Sequence, residues 1–119
     1  MRDFREFKVW EKAHSLTLEI YEWTADFPRT EIYGLTSQLR RSSSSIPANI
    51  AEGCGRGSNA ELGRFLQIGM GSASELEYHV LLARDLTYFP EVIYDPLQRR
   101  VVEVKKMLTA LHQRVRPRT

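Results

Sequence analysis

The sequence predicts an all-α fold, an antiparallel up-down-up-down four-helix bundle that fills residues 1–119 as one domain. Three observations predict it. Apolar residues recur at spacings of three and four almost throughout, and no stretch alternates strictly enough to compete as a strand. Proline- and glycine-containing breaks divide the periodic sequence into four stretches, each long enough for a bundle helix. The 119-residue chain is 42% hydrophobic and 27% charged, a globular composition with enough chain for one core.

The first helix is expected from about Phe4 to Asp26. Phe7, Trp10, Ala13, Leu16, Ile20, Trp23 and Phe27 mark its buried stripe, and Pro28 stops it. The second starts near Thr30, read as the N-cap, with Glu31 in the first turn. Ile32, Leu35, Leu39, Ser43, Ile46 and Ile50 form its stripe. Pro47 lies inside it, so a kink is expected around Ser43 to Pro47. The serines Ser42 to Ser45 are placed to satisfy backbone groups that the proline frees.

Gly53-Cys54-Gly55-Arg56-Gly57 breaks the pattern, and Ser58-Asn59-Ala60-Glu61 reads as a capping box. The third helix then runs from about Asn59 to Tyr88. One seam holds Leu62, Leu66, Gly69, Ala73, Leu76, Val80 and Ala83; Phe65, Ile68, Ser72, Leu82 and Leu86 form a second strip beside it. Gly69 and Ala73, four apart, are expected to let another helix approach closely. The fourth helix is expected to start with Asp95 as N-cap and Pro96 at the first helical position. Its stripe is Tyr94, Leu97, Val101, Val104, Leu108, Leu111 and Val115, and Arg116-Pro117-Arg118 ends it.

Apolar residues exceed what one bundle needs, which is about three positions in seven. Phe7, Val9, Trp10, Leu16, Leu18, Ile20, Tyr21 and Trp23 wrap past a single stripe of the first helix. Either a second subunit covers the surplus, or aromatic rings fill a loose core.

Charge is distributed unevenly. Residues 1–98 hold 10 basic and 14 acidic groups; residues 99–119 hold 7 basic groups and one acid, Glu103. The cations Arg99, Arg100, Lys105, Lys106, Arg114, Arg116 and Arg118 point to a polyanion such as nucleic acid, or to a solvated helix face at the cationic end of a dipole. Arg56 and Arg64 are secondary candidates. The lone Cys54 excludes an intramolecular disulfide and fits a cytoplasmic protein. Neither a signal peptide nor a membrane span is expected.

No catalytic constellation emerges. A di-iron bundle needs Glu-x-x-His on two helices, and only Glu11-Lys12-Ala13-His14 supplies one. Glu75 and His79 could share a face, read as a buried hydrogen-bonded pair. Cys54 is read as a packed thiol. Gly53-x-Gly55-x-Gly57 lacks a preceding strand and a Gly-Lys-Ser/Thr, so it reads as a helix C-cap and turn, with Arg56 able to touch a phosphate. No metal and no cofactor is expected.

Several blocks resemble a known family. They are Phe7-x-Val9-Trp10-x-Lys12-Ala13, Phe27-Pro28-x-x-Glu31, Tyr33-Gly34-Leu35-Thr36-x-Gln38-Leu39-Arg40-Arg41 and Ser45-Ile46-Pro47-Ala48-Asn49-Ile50-Ala51-Glu52-Gly53. Arg56, Phe65-Leu66 and Gly71-Ser72-Ala73-x-Glu75-Leu76 continue them. The chain resembles the bacterial four-helix-bundle proteins encoded in intervening sequences of 23S ribosomal RNA, strongly over about residues 4–90. That family is similar to the accessory protein of diversity-generating retroelements, a pentameric barrel that binds nucleic acid and reverse transcriptase.

The resemblance implies a homopentamer with RNA or DNA contacts. It also implies close helix packing at Gly71 and Ala73 and polar contacts within or between bundles at Gln38, Arg41, Asn49, Glu52 and Glu75, so Glu52→Ala is expected to damage folding or assembly. The functional expectation is a non-enzymatic oligomer binding nucleic acid through a basic C-terminal helix. The alternative is a protein-interaction scaffold with no nucleic-acid contact.

Overall fold

The computed structural model describes residues 2–116. Four helices pack against one another: α1 (Lys8–Thr24), α2 (Leu35–Gly55), α3 (Asn59–Asp85) and α4 (Glu91–Val115). Among the described residues there is no strand. Side-chain contacts fix the directions. Thr24 meets Arg40 while Thr17 meets Ser43, Arg41 meets Glu75 while Ser45 meets Ser72, and Arg84 meets Glu91 while Glu77 meets Lys105. Each helix therefore runs opposite to its predecessor. Lys12 on Glu103 closes α4 onto α1. One core threads all four, from Leu16 and Ile20 through Leu39, Ile46 and Leu66 to Leu97 and Leu108.

Helix starts differ from expectation, each for a local reason. Phe4–Glu6 is a separate 3₁₀ turn, because the Asp3 carboxylate accepts from the Arg5 amide at 3.0 Å and Phe7 is extended. Thr30 is not a cap; Arg29–Glu31 forms another 3₁₀ turn. The capping acceptor is Glu31, whose Oε1 takes the Leu35 amide at 3.0 Å while its Oε2 takes the Tyr88 hydroxyl at 2.9 Å. α4 starts one turn early at Glu91, so Pro96 lies inside it. The carbonyl the proline deprives, on Val92, belongs to a residue that water reaches freely.

Pro47 is also inside its helix, and α2 continues through it to Gly55. The missing amide would have served the Ser43 carbonyl. Thr17 of α1 takes its place, with Oγ1 3.0 Å from that carbonyl and 3.0 Å from the Ala13 carbonyl. The serines do not repair the gap as expected. Ser42 and Ser44 donate back to the Gln38 and Arg40 carbonyls at 2.7 and 2.8 Å, and Ser45 pairs with Ser72 on α3.

Close packing also falls elsewhere than expected. A Cβ on Gly53 would lie 2.9 Å from Phe65 Cβ and 3.0 Å from Leu62 Cδ1, so this glycine sets the α2–α3 approach. A Cβ on Gly69 would meet ordinary contacts at 3.9 Å, and one on Gly71 would meet nothing within 4 Å. An interior helix glycine costs about 1 kcal/mol against alanine, and the bundle gains no packing from Gly71 in return.

Ser58 caps α3 by accepting from the Glu61 amide at 3.1 Å. α3 ends three residues early in a Schellman turn: the Tyr88 amide donates to the Ala83 carbonyl and the Thr87 amide to the Arg84 carbonyl, both at 2.8 Å. Thr87 holds the left-handed position at φ 66°, where glycine is usual. The apolar surplus divides: Phe7, Trp10 and Trp23 pack on the core, whereas Leu18, Tyr21, Ile68 and Leu86 are exposed.

A candidate polyanion-binding end of the bundle

The predicted cations of α4 separate into two groups. Arg99 pairs with Asp95 at 2.8 Å, Lys105 with Glu77 at 2.7 Å, and Arg100 with Glu19 while also donating to Ser15 Oγ at 3.1 Å. Their charge is answered within the bundle. Lys106, Arg114 and Arg116 are exposed, and no ion pair among the described residues involves them. Arg118 lies outside the described residues. The basic helix expected from sequence is therefore mostly neutralised along its length and cationic toward its C-terminus.

That terminus is one corner of a larger basic end. The antiparallel packing brings together the start of α1, the end of α2, the start of α3 and the end of α4. Arg2 donates to Asn59 Oδ1 at 2.7 Å, tying the N-terminal segment to α3. Lys8 and Arg114 line one shallow groove with Phe7, Val9 and Leu111. A Cβ on Gly63 would lie 3.8 Å from the His112 ring and 3.9 Å from Val115, so the start of α3 faces the end of α4. The Arg56 and Arg64 guanidinium groups lie 5.1 and 4.5 Å from the centre of the Phe65 ring. Stacking on a buried ring extends each head over the end while its charge stays in water.

This end carries Arg2, Arg5, Lys8, Arg56, Arg64, Arg114 and Arg116 against Asp3, Glu6, Glu52 and Glu61. Asp3 is taken by Arg5 at 3.3 Å and Glu61 by Arg64 at 2.9 Å. Lys8, Arg56, Arg114 and Arg116 remain exposed without an ion pair among the described residues. Sequence reading missed Arg2, Arg5 and Lys8. The available signal was the antiparallel topology itself, which places an N-terminal basic segment beside the fourth helix's end. The bundle measures 47 × 23 × 21 Å, so its end is as wide as about six phosphates of one strand at 3.4 Å each.

The sequence profile described as "23S rRNA-intervening sequence protein" matches residues 5–110. The chain belongs to that family. A solved structure from Bacteroides thetaiotaomicron, titled as a protein with unknown function from the S23 ribosomal protein family, is similar at 25% identity and a TM-score of 0.77. The match covers 88% of this chain and 95% of that one. No curated protein matches. Neither the family description nor the neighbour's title states a reaction.

The polar residues of the family blocks in this 23S rRNA-intervening sequence protein mostly meet. Arg41 donates to Gln38 Oε1 at 2.7 Å and pairs with Glu75 across the α2–α3 interface. Asn49 Nδ2 donates to the Ser45 carbonyl at 2.7 Å and approaches Ser45 Oγ at 3.0 Å, beside the Ser45–Ser72 pair. Glu52 is exposed, and no hydrogen bond or ion pair among the described residues engages it. A role for Glu52 inside the bundle therefore has no contact behind it.

The groups with catalytic or ligating chemistry stand apart from one another. His14 is exposed and stacks on Trp10 at 5.0 Å. His79 shares a face with Glu75, but the expected hydrogen-bonded pair does not form: Nδ1 is buried without a partner, and Glu75 serves Arg41. Burial holds the His79 pKa below its ordinary value, against the opposing pull of Glu75. Burial likewise pushes the Cys54 thiol up, away from the thiolate that reactivity needs. Gly57 adopts φ 88° after α2, the glycine position of a helix end rather than of a phosphate loop. Among the described residues no three His, Cys, Asp or Glu side chains cluster as metal ligands, and no helix is long and apolar enough to cross a membrane.

Proposed function

We propose that this protein is a non-enzymatic, self-associating helical bundle of the cytoplasm that binds RNA or DNA through phosphate contacts at its basic end. The observation that carries the reading is the gathering of Lys8, Arg56, Arg114 and Arg116, exposed and without ion pairs among the described residues, from three chain segments: the start of α1, the end of α2 and the end of α4. Arg99, Arg100 and Lys105 move to a structural role because carboxylates already hold them. Five copies is the number the family resemblance implies. A ring of bundles with parallel axes would align these ends into one basic surface. Contacts of this kind position a polyanion and carry little sequence readout.

A salt series of fluorescence anisotropy on labelled structured RNA and duplex DNA tests the reading. Arg56→Glu/Arg114→Glu/Arg116→Glu should weaken binding more than tenfold. On duplex DNA it should reduce the log–log salt slope by about 0.9 for each phosphate that is no longer neutralised. Arg99→Glu should stay within about twofold of wild type, because fifteen helical residues at ~1.5 Å each put it about 22 Å from Arg114, well beyond the ~8 Å screening length. Equal losses in the two variants, or no binding at low salt, would reject the basic end.

The second reading is a protein-interaction scaffold. Tyr33, 94% exposed, and Ile32 favour it at the opposite end of the bundle. A protein that fails to bind either nucleic acid moves the assignment there.

A further inference from the structure

We infer, resting on the reading that the basic end binds nucleic acid, that the groove between the start of α1 and the end of α4 seats one unpaired base of the bound strand, while Lys8 and Arg114 hold the phosphates beside it. The groove has a volume of about 180 Å³. Phe7 and Val9 form its wall on the α1 side, and Met107, Ala110 and Leu111 form its wall on α4. Met107, Ala110 and Arg114 follow one another by three and four, so they share one face of α4. Among the described residues no carboxylate lines the groove, in a chain with 15 Asp and Glu. Its two charged residues, Lys8 and Arg114, are exposed and without an ion pair among the described residues.

That chemistry selects the occupant. An apolar wall rimmed by cations takes a group with apolar faces that is joined to an anion. A nucleotide is built this way: its ring has faces that stack, and a phosphate lies on each side of it. The volume is below the ~300–1,000 Å³ of pockets that enclose a whole small molecule, so the groove suits a single ring. The base must be unpaired. In a duplex its faces lie against the neighbouring bases, and only its edges show in the grooves.

Two features of the groove have no other account in the bundle. The first is Phe7. The other aromatic rings of this end are engaged: Phe4 packs on Trp10 and under Arg5, Trp10 on His14, and Phe65 under Arg56 and Arg64. Phe7 has no ring or guanidinium contact among the described residues. Every base has a face that can stack on such a ring, so the seat tolerates any sequence. Met107 suits it too, since a flexible thioether adapts to rings of different outline. The second feature is Lys8. A cation at the first position of a helix opposes the dipole, and α1 starts without a side-chain cap. A phosphate beside Lys8 would answer both the lysine and the first amides of α1.

Fluorescence anisotropy on the full chain tests this with two labelled strands of equal charge, about eight nucleotides each. One is thymidylate; the other is its abasic counterpart, which keeps the sugar–phosphate backbone and lacks the bases. Wild type should bind the thymidylate strand about fivefold tighter or more, the effect of one stacked base. Ala110→Leu fills the groove without adding charge or a stacking face, at an exposed position that keeps the fold. It should bring the affinity for thymidylate down to that for the abasic strand. Phe7→Leu removes the ring and should reduce the preference, with circular dichroism confirming that both variants are folded. Equal wild-type affinity for the two strands overturns the base seat and leaves the phosphate contacts standing. So does a preference that Ala110→Leu retains in full, which would pass the groove to another occupant such as an apolar side chain of a protein partner. Binding of neither strand at low salt overturns both readings.

Discussion

The two ends of the bundle are built on different plans. At one end the α1–α2 and α3–α4 turns are tied to each other. Glu31 bridges the Leu35 amide and the Tyr88 hydroxyl, Phe27 packs on Tyr88 and Phe89 at 5.1 Å, and a Schellman turn closes α3. At the other end one turn contains Gly57, and the surrounding cations extend into solvent. The first end commits Glu31 and the Tyr88 hydroxyl to each other, whereas the second pairs only part of its charge and leaves Lys8, Arg56, Arg114 and Arg116 exposed without ion pairs among the described residues. Stability and contact are thus separated along the long axis of one small fold, and substitutions at the two ends should have different readouts.

The largest expected effect on stability is at the tied end. Phe89 is 2% exposed and meets the Phe27 ring edge-on, so Phe89→Ala should cost about 3–5 kcal/mol in urea unfolding. The reversal of Arg56, Arg114 and Arg116 should together cost no more than about 1.5 kcal/mol, at up to ~0.5 kcal/mol for each surface substitution. Equal destabilisation by the two would break the comparison. Gly53→Ala, on the way to the basic end, should cost about 1–3 kcal/mol through overpacking against Phe65 and Leu62. It would show that tight packing reaches that end without its cations.

A smaller effect has the opposite sign. Thr87 occupies a left-handed position that costs an ordinary residue about 1–2 kcal/mol. Thr87→Gly should recover part of this, raising the melting temperature by a few degrees. The smallest effect is a pH dependence. The Leu35 amide and then the Tyr88 hydroxyl hold the Glu31 carboxyl below its ordinary pKa. The unfolded chain then binds the proton more readily, so this contribution is present above about pH 4.3 and is lost as pH falls through the folded value. Wild type should lose thermal stability in acid more steeply than Glu31→Gln does.

The helices were legible because their evidence is local. Spacings of three and four, Pro28, Gly57 and the Ser58 cap are written in consecutive residues, and the core residues lie where the period places them, except Ile32, which precedes α2 and is exposed. The starts of α1, α2 and α4 were less legible. Asp3, Glu31 and Val92 decide them through a side-chain cap or solvent access, which periodicity does not report. The candidate site was legible only in part. Arg114 and Arg116 stood out in a basic tail, but their neighbours Arg2 and Lys8 lie at the other terminus of the sequence. The carboxylates that occupy Arg100 and Lys105 come from α1 and α3, so no charge run along α4 could have revealed them.

The bond from Thr17 to the Ser43 carbonyl has an evolutionary consequence. Pro47 leaves α2 one donor short, and the replacement is inherited on a different helix. Positions 17 and 47 are therefore epistatic. Thr17→Val should cost about 1–3 kcal/mol where Pro47 is present, because it strands a buried acceptor. It should cost distinctly less in a Pro47→Ala background, where a backbone amide at position 47 would restore the helical bond. A double-mutant cycle reads that difference directly. A lineage that keeps the proline has little freedom at position 17, whereas one that loses it can let the threonine drift.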